Sequence, residues 1–193
     1  MSYLKESQLK GFRRSTQTFS SVINKSLRGF RDEPKALKKS IFLSHKHDEL
    51  EALDGAISFL KREGAHIYVD WLDEGMPKVT NSITAVRIKE KIRNNDKFIL
   101  LATEAAINSK WCNWELGLGD AAKYIDNIAL LPVEKDGTRF SGAEYVQIYP
   151  FIEYQDGQGR YSNGKIIPVG YYVKFPMENG SRTLIKLSDW LRR

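Results

Sequence analysis

The sequence predicts an α/β fold: a doubly wound parallel sheet with helices on both faces. Three observations carry this. Four short apolar runs recur along the middle of the chain: "SIFLS" (40–44), "AHIYVD" (65–70), "KFILLAT" (97–103) and "NIALLPV" (127–133). The segments between them place apolar residues at helical spacing rather than in alternation. Strands that are apolar on both sides belong in sheets covered on both faces.

The elements follow in order. Phe19, Val22, Ile23, Leu27 and Phe30 hold helical spacing, so the first part of the chain predicts a basic amphipathic helix around 16–30, broken by Pro34. Leu50, Leu53, Ile57 and Leu60 share one helical face after the first strand, and Gly64 supplies the stop. Ala85, Ile88 and Ile92 mark a helix over roughly 81–93. Ser109 is placed to cap a helix from 110 to about 124. After Gly137 the chain becomes rich in tyrosine, glycine and turn residues, with short strands expected at 166–174 and tight turns at Asp156-Gly157 and Asn163-Gly164. A last helix over "SRTLIKLSDWLRR" would bury Leu184, Leu187 and Leu191.

Composition bounds the function classes. With 193 residues, 41% hydrophobic and 28% charged, the chain has material for one packed domain and is far from a disordered composition. Its longest dense apolar run, Phe98 to Ala102, is too short to span a membrane, and the N-terminus lacks a secretory apolar block. A single cysteine, Cys112, excludes an internal disulfide and a cysteine-based zinc cluster. These features point to the cytoplasm. The net charge of +6 is uneven: residues 1–40 carry ten Lys/Arg against three acids, and the remainder 20 against 21. The chain therefore divides into a basic arm, 1–37, and a nearly neutral body, 38–193, whose segment 136–193 forms an extension. Such an arm either packs on its own domain as a solvated extension or attracts an anionic partner. No base-stacking motif accompanies it, so nucleic acid is not expected as a partner.

The stretch "SKWCNWELG" (109–117) sets an acid among aromatic residues. Trp111, Glu115, Leu118 and Ala122 lie on one helical stripe, with Trp111 and Leu118 expected inward. Glu115 then bonds a backbone amide, points to solvent, or acts chemically. A buried carboxylate is costly unless paired, and beside an apolar hollow it can stabilise a developing cation. N-glycosidic bonds break through oxocarbenium-like transition states. A nicotinamide leaving group is already cationic and departs neutral, so one carboxylate suffices for cleavage of NAD. Cys112 reads as packing, since no histidine stands nearby in sequence to activate it. His45 and His47 bracket Lys46 in a setting poor in carboxylates, and no metal site is expected. There is no G-x-G-x-x-G loop, and "GLG" at 117–119 falls inside a predicted helix, so a redox Rossmann enzyme is excluded.

Three stretches, "SIFLSHKHDE", "HIYVDWLDEGMP" and "SKWCNWELG", resemble the signature regions of a TIR (Toll/interleukin-1 receptor) domain, most specifically through Ser109, Trp111, Cys112, Glu115 and Leu116. The likeness covers about residues 38–135 and extends to bacterial stand-alone TIR proteins, including the antiphage-defence type called Thoeris. It implies a flavodoxin-like fold and, in the enzymatic members, NAD+ cleavage with the acid matching Glu115 as the catalytic glutamate. NAD+ is then the substrate and no cofactor is needed. By the same resemblance, Phe42, Ser44, His45 and Lys46 border the substrate pocket, Asp70 bonds a ribose hydroxyl, Trp71 stacks on a flat ring, and Trp111 counts among the substrate-binding residues. Each of these residues also has an ordinary reading as packing, turn or cap. Residues 73–77 match the loop that assembles subunits, so a homo-oligomer is expected, together with a separate effector that senses the product. The alternative is a TIR module that only assembles with others and turns over no substrate.

Overall fold

The computed structural model describes residues 2–13, 39–69, 81–140, 142, 144–176 and 183–193. β1 (Leu4–Lys5) and α1 (Glu6–Gly11) precede β2 (Ser40–Ser44), α2 (Leu50–Arg62), β3 (His66–Tyr68) and α3 (Ser82–Asn94). Then come β4 (Lys97–Ala102), α4 (Glu104–Ile107), α5 (Lys110–Ala122), a 3₁₀ turn (Ile125–Asn127), β5 (Ile128–Glu134) and α6 (Tyr145–Ile148). The chain closes with β6 (Phe151–Gln155), β7 (Gly170–Lys174), β8 (Leu184–Lys186) and α7 (Leu187–Trp190).

The sheet runs β3-β2-β4-β5-β6-β7-β8, with β1 beside β5. β3 through β6 are parallel, and β7 and β8 add two antiparallel strands at the end. This is the 2-1-3-4-5 order of flavodoxin-like sheets with an extra hairpin edge. All six residues of β4 are buried, as the apolar run Phe98–Ala102 requires at the sheet centre, and Lys97 at its start is buried with them. Alternate residues feed two cores. Ile41, Leu43, Ile99 and Leu101 pack with Leu53, Ile57 and Leu60 of α2, while Phe42, Phe98 and Leu100 pack with Ile88 and Ile92 of α3 and Leu116 of α5.

Local chemistry bounds the helices, at Gly64 and Ser109 as the sequence signals and at Asn81 in addition. Gly64 takes φ +98° behind α2. Asn81 caps α3 by accepting from the Thr84 amide at 3.0 Å, and Ser109 caps α5 by accepting from the Cys112 amide at 3.4 Å. The Asp156-Gly157 and Asn163-Gly164 turns both form, with φ +85° and +81° at their glycines.

Three expectations change. Residues 184–186 form β8 rather than the start of a helix, because the open edge of β7 offers a ladder: Lys174 pairs with Leu184 and Val173 with Ile185. Leu184 is consequently only half-buried, and Leu187, Trp190 and Leu191 anchor the end of the chain. The segment "FIEYQ" is a full strand, β6, inside a region that reads as turn-rich. Residues 2–13, assigned to the basic arm, are built into the body. Leu4 and Lys5 pair with Val133 and Glu134, Leu9 is buried on α2, and Arg13 bonds Glu51 at 2.9 Å and Asp54 at 3.3 Å. A side chain at Gly55 would overlap the Leu9 carbonyl oxygen, so this glycine permits the docking. The amphipathic helix predicted around 16–30 lies outside the described residues, as do Asp70, Trp71 and the 73–77 loop.

Candidate active site

In a doubly wound sheet, ligands bind beyond the carboxyl ends of the strands where the connections change direction. Here that point lies between β2 and β4, since the chain leaves β2 towards β3 and later returns to the other side as β4. Two hydrogen bonds gather around it. The Thr103 hydroxyl, just past β4, donates to the Glu49 carboxylate in the loop after β2. The Ser44 hydroxyl, at the end of β2, donates to Oε2 of Glu115 on α5 at 2.5 Å. Burial raises the Glu49 carboxyl above its ordinary range, and the bond from Thr103 opposes that rise.

The inward face of α5 consists of Cys112, Glu115, Leu116 and Gly119. This corrects the expected face, since Trp111 and Leu118 are only half-buried along its flank. Gly119 explains the rotation. A Cβ there would lie 2.9 Å from the Phe98 ring, so the helix comes down onto β4 along its glycine side. Glu115 is thereby carried to the carboxyl end of β2 and is 2% exposed, with Ser44 at 1%. Burying an ionised carboxylate costs several kcal/mol unless donors replace its water, and the Ser44 hydroxyl is such a donor.

Cys112, one turn before Glu115, is buried. Burial pushes its thiol up to about 11, against smaller opposing effects from the Ser109 and Ser44 hydroxyls, so it stays protonated at neutral pH. Trp111 and Trp114 are half-buried and packed against the core beside this face, ring centroids 4.8 Å apart, and Lys89 of α3 lies over Trp114 at 5.9 Å. The Trp111 indole N–H is buried and finds no acceptor among the described residues.

The other sequence-derived positions separate. Phe42 is fully buried between Phe98 and Tyr68, with centroids 5.8 and 5.9 Å away, in the core that also holds Leu116 of α5. His45 is buried, its Nδ1 3.3 Å from the Leu43 carbonyl and its ring against His47. Lys46 is half-buried and pairs with Asp48 at 2.8 Å. The structure thus joins Ser44 directly to Glu115, keeps Trp111 on the same helix, and sets Phe42 in the core. Glu49 and Thr103 were not singled out from sequence. The only local signal was Thr103 itself, a capping residue placed where a buried strand ends.

A cavity of about 380 Å³ opens at the carboxyl ends of β4 and β5, framed by Glu49, Glu104, Asn108, Glu134, Lys135 and Phe140. It shares Glu49 with the switch point but does not reach Ser44 or Glu115. Among the described residues, no group of three or more His, Cys, Asp or Glu side chains is arranged to hold a metal ion, and no helix is long and apolar enough to cross a membrane.

Comparison with known proteins bears on the family of the fold. The chain is 30% identical over 117 residues to a protein of Bacillus cereus (strain MSX-D12) named probable 3' cyclic ADP-D-ribose synthase ThsB'. That alignment takes in 58% of this chain and 59% of the relative, so the chain spans about three fifths of the curated relative it matches. Residues 41–165 match the TIR domain family. That span runs from the first core strand of the parallel sheet, through the Ser44–Glu115 contact, into the loop before β7, and on this ground the chain belongs to the TIR domain family.

Proposed function

We propose that this protein cleaves NAD+, releasing nicotinamide and forming ADP-ribose or a cyclic ADP-ribose isomer that serves as a second messenger in a Thoeris-type antiphage response. One observation carries the chemistry: a buried glutamate, Glu115, held by a hydroxyl at the carboxyl end of the first core strand. The printed name of the Bacillus cereus relative, a cyclic ADP-D-ribose synthase, supports the same substrate and favours the cyclic product.

In this reading the bond between the ribose C1 carbon and the nicotinamide nitrogen breaks, and its electron pair goes to the ring, which leaves neutral. Positive charge develops on the ribose, and the buried Glu115 carboxylate stabilises it. A hydroxyl of the same molecule captures the cation and loses its proton, giving a cyclic product; capture by water gives ADP-ribose. NAD+ is the substrate and no cofactor takes part. TIR–TIR assembly of several copies completes the site, and a separate effector protein reads the product.

The test compares wild type with Glu115→Gln on NAD+, following nicotinamide release and identifying the product by mass spectrometry. Glu115→Gln is expected to lose at least about a hundredfold in release. The wild-type product should be lighter than ADP-ribose by one water if it is cyclic. Equal release by both proteins would remove Glu115 from the chemistry.

A further inference from the structure

We propose that Ser44 is the positioning residue for Glu115: by donating its hydroxyl to Oε2, it fixes the orientation of the carboxylate beside the reacting ribose. This rests on the reading of Glu115 as the acid that meets the ribosyl cation, and it gives Ser44 a different task from the substrate contact that the family resemblance implies.

The geometry makes the case. The contact joins two buried side chains 71 residues apart, one ending a core strand and one on the inward face of a helix, at 2.5 Å. A glutamate side chain turns about three torsions, and a carboxylate that must face a developing charge loses effect when it is displaced by an ångström. A strand-end hydroxyl is a rigid way to remove that freedom, because serine has one short side chain and β2 is locked between β3 and β4.

The direction of the hydrogen bond is also set. A serine hydroxyl has one proton, and an ionised carboxylate can only accept, so the proton points from Ser44 to Glu115. Cys112 shares the inward face of α5 with Glu115, and its backbone amide donates to the Ser109 hydroxyl at 3.4 Å, which fixes the start of the helix that carries the acid. The titratable groups on the elements packed around α5 have their own engagements: His45 with His47, Lys46 with Asp48, Lys89 over Trp114 and Glu104 with Lys135.

Four full-length variants test this: Ser44→Ala, Ser44→Thr, Glu115→Gln and the double change Ser44→Ala/Glu115→Gln. Ser44→Ala should lower kcat for nicotinamide release about ten- to hundredfold and leave KM within about twofold. The acid limb of its pH–rate profile should move to higher pH, because a donor to the ionised form has been removed. Ser44→Thr, which keeps a hydroxyl, should recover most of the rate. On the Glu115→Gln background Ser44→Ala should cost nothing further. A loss that persists on that background, or an unmoved acid limb, overturns the proposal. Should Ser44→Ala melt below the assay temperature, Ser44→Cys keeps the volume, weakens the donor and takes its place with the same readouts.

If wild type releases no nicotinamide, the NAD+ reading fails and the positioning is still measured. Carboxyl-carbon NMR of protein labelled in glutamate identifies the Glu115 signal by its absence in Glu115→Gln. That signal titrating at higher pH in Ser44→Ala than in wild type supports the proposal, and coincident titrations overturn it.

Discussion

Glu115 and Glu153 are buried to the same degree, at 2% and 1% exposure, and the fold answers them differently. Glu153 stands in β6 with the Lys174 ammonium of β7 at 3.2 Å from Oε2, and the Gln155 amide donates to its Oε1. Glu115 stands on α5 and receives the hydroxyl of Ser44. A fixed cation neutralises an acid permanently, which suits a structural strut on the extension. A hydroxyl holds an acid in place without itself supplying a countercharge. Under the proposed function, the Glu115 carboxylate faces the ribose of NAD+ as nicotinamide departs.

The sharpest way to break this contrast is to remove each partner. Lys174→Met leaves the Glu153 charge buried without its cation and should cost about 3–5 kcal/mol of stability, measured by urea unfolding. Adding Glu153→Gln should restore most of it. In the same assay Glu115→Gln should change stability by less than about 1 kcal/mol while nicotinamide release collapses. If Glu115→Gln destabilises as much as Lys174→Met, both acids are structural and the contrast is void.

A third buried charge extends the comparison. Lys97 opens β4 at 1% exposure, donates to Asn127 Oδ1 at 3.0 Å and lies 4.3 Å from the centre of the Trp190 ring. Burial pushes its ammonium down from 10.5 to about 8. Between those values the unfolded chain holds more protons than the folded one, so stability should rise as pH increases from about 8 to about 10.5. The gain is on the order of 3 kcal/mol across that window. Thermal melts of wild type and Lys97→Met between pH 7 and 10 should show the rise in wild type alone; parallel curves would reject it.

The smallest expected effect separates site geometry from packing. Gly119→Ala presses a methyl group against Phe98 and should cost about 1–3 kcal/mol. It pushes α5 off β4 and so displaces Glu115 from Ser44, while Glu153 and Lys174 stay as they are. Its kcat should fall in folded protein at a temperature well below its melting point. An unchanged kcat would show that the helix can shift without disturbing the acid.

What the sequence revealed follows the range of the interactions. β2, β4 and β5 are continuous apolar runs, and the caps at Gly64 and Ser109 act within a few residues, so all were legible. β6 was not, because Glu153 interrupts its apolar pattern and the lysine that satisfies it lies 21 residues on. The 184–191 stretch carries leucines compatible with a helix, and only the free edge of β7 makes its first part a strand. At the site, Glu115 stood out as an acid among aromatic residues. The face it occupies depended on the closeness that Gly119 allows to Phe98, and its partner Ser44 is 71 residues away. A pattern of spacings within one helix carries neither fact.

The pairing of β1 with β5 also bears on the order of assembly during synthesis. Leu4 and Lys5 find their ladder partners only at Val133 and Glu134. At about 5–20 residues per second, the ribosome takes roughly 6–26 s to add the residues between them. Throughout that interval Leu4 and Leu9, both core residues of the finished fold, have no β5 to complete their seat. Residues 4–9 are thus among the last parts of the described structure to settle.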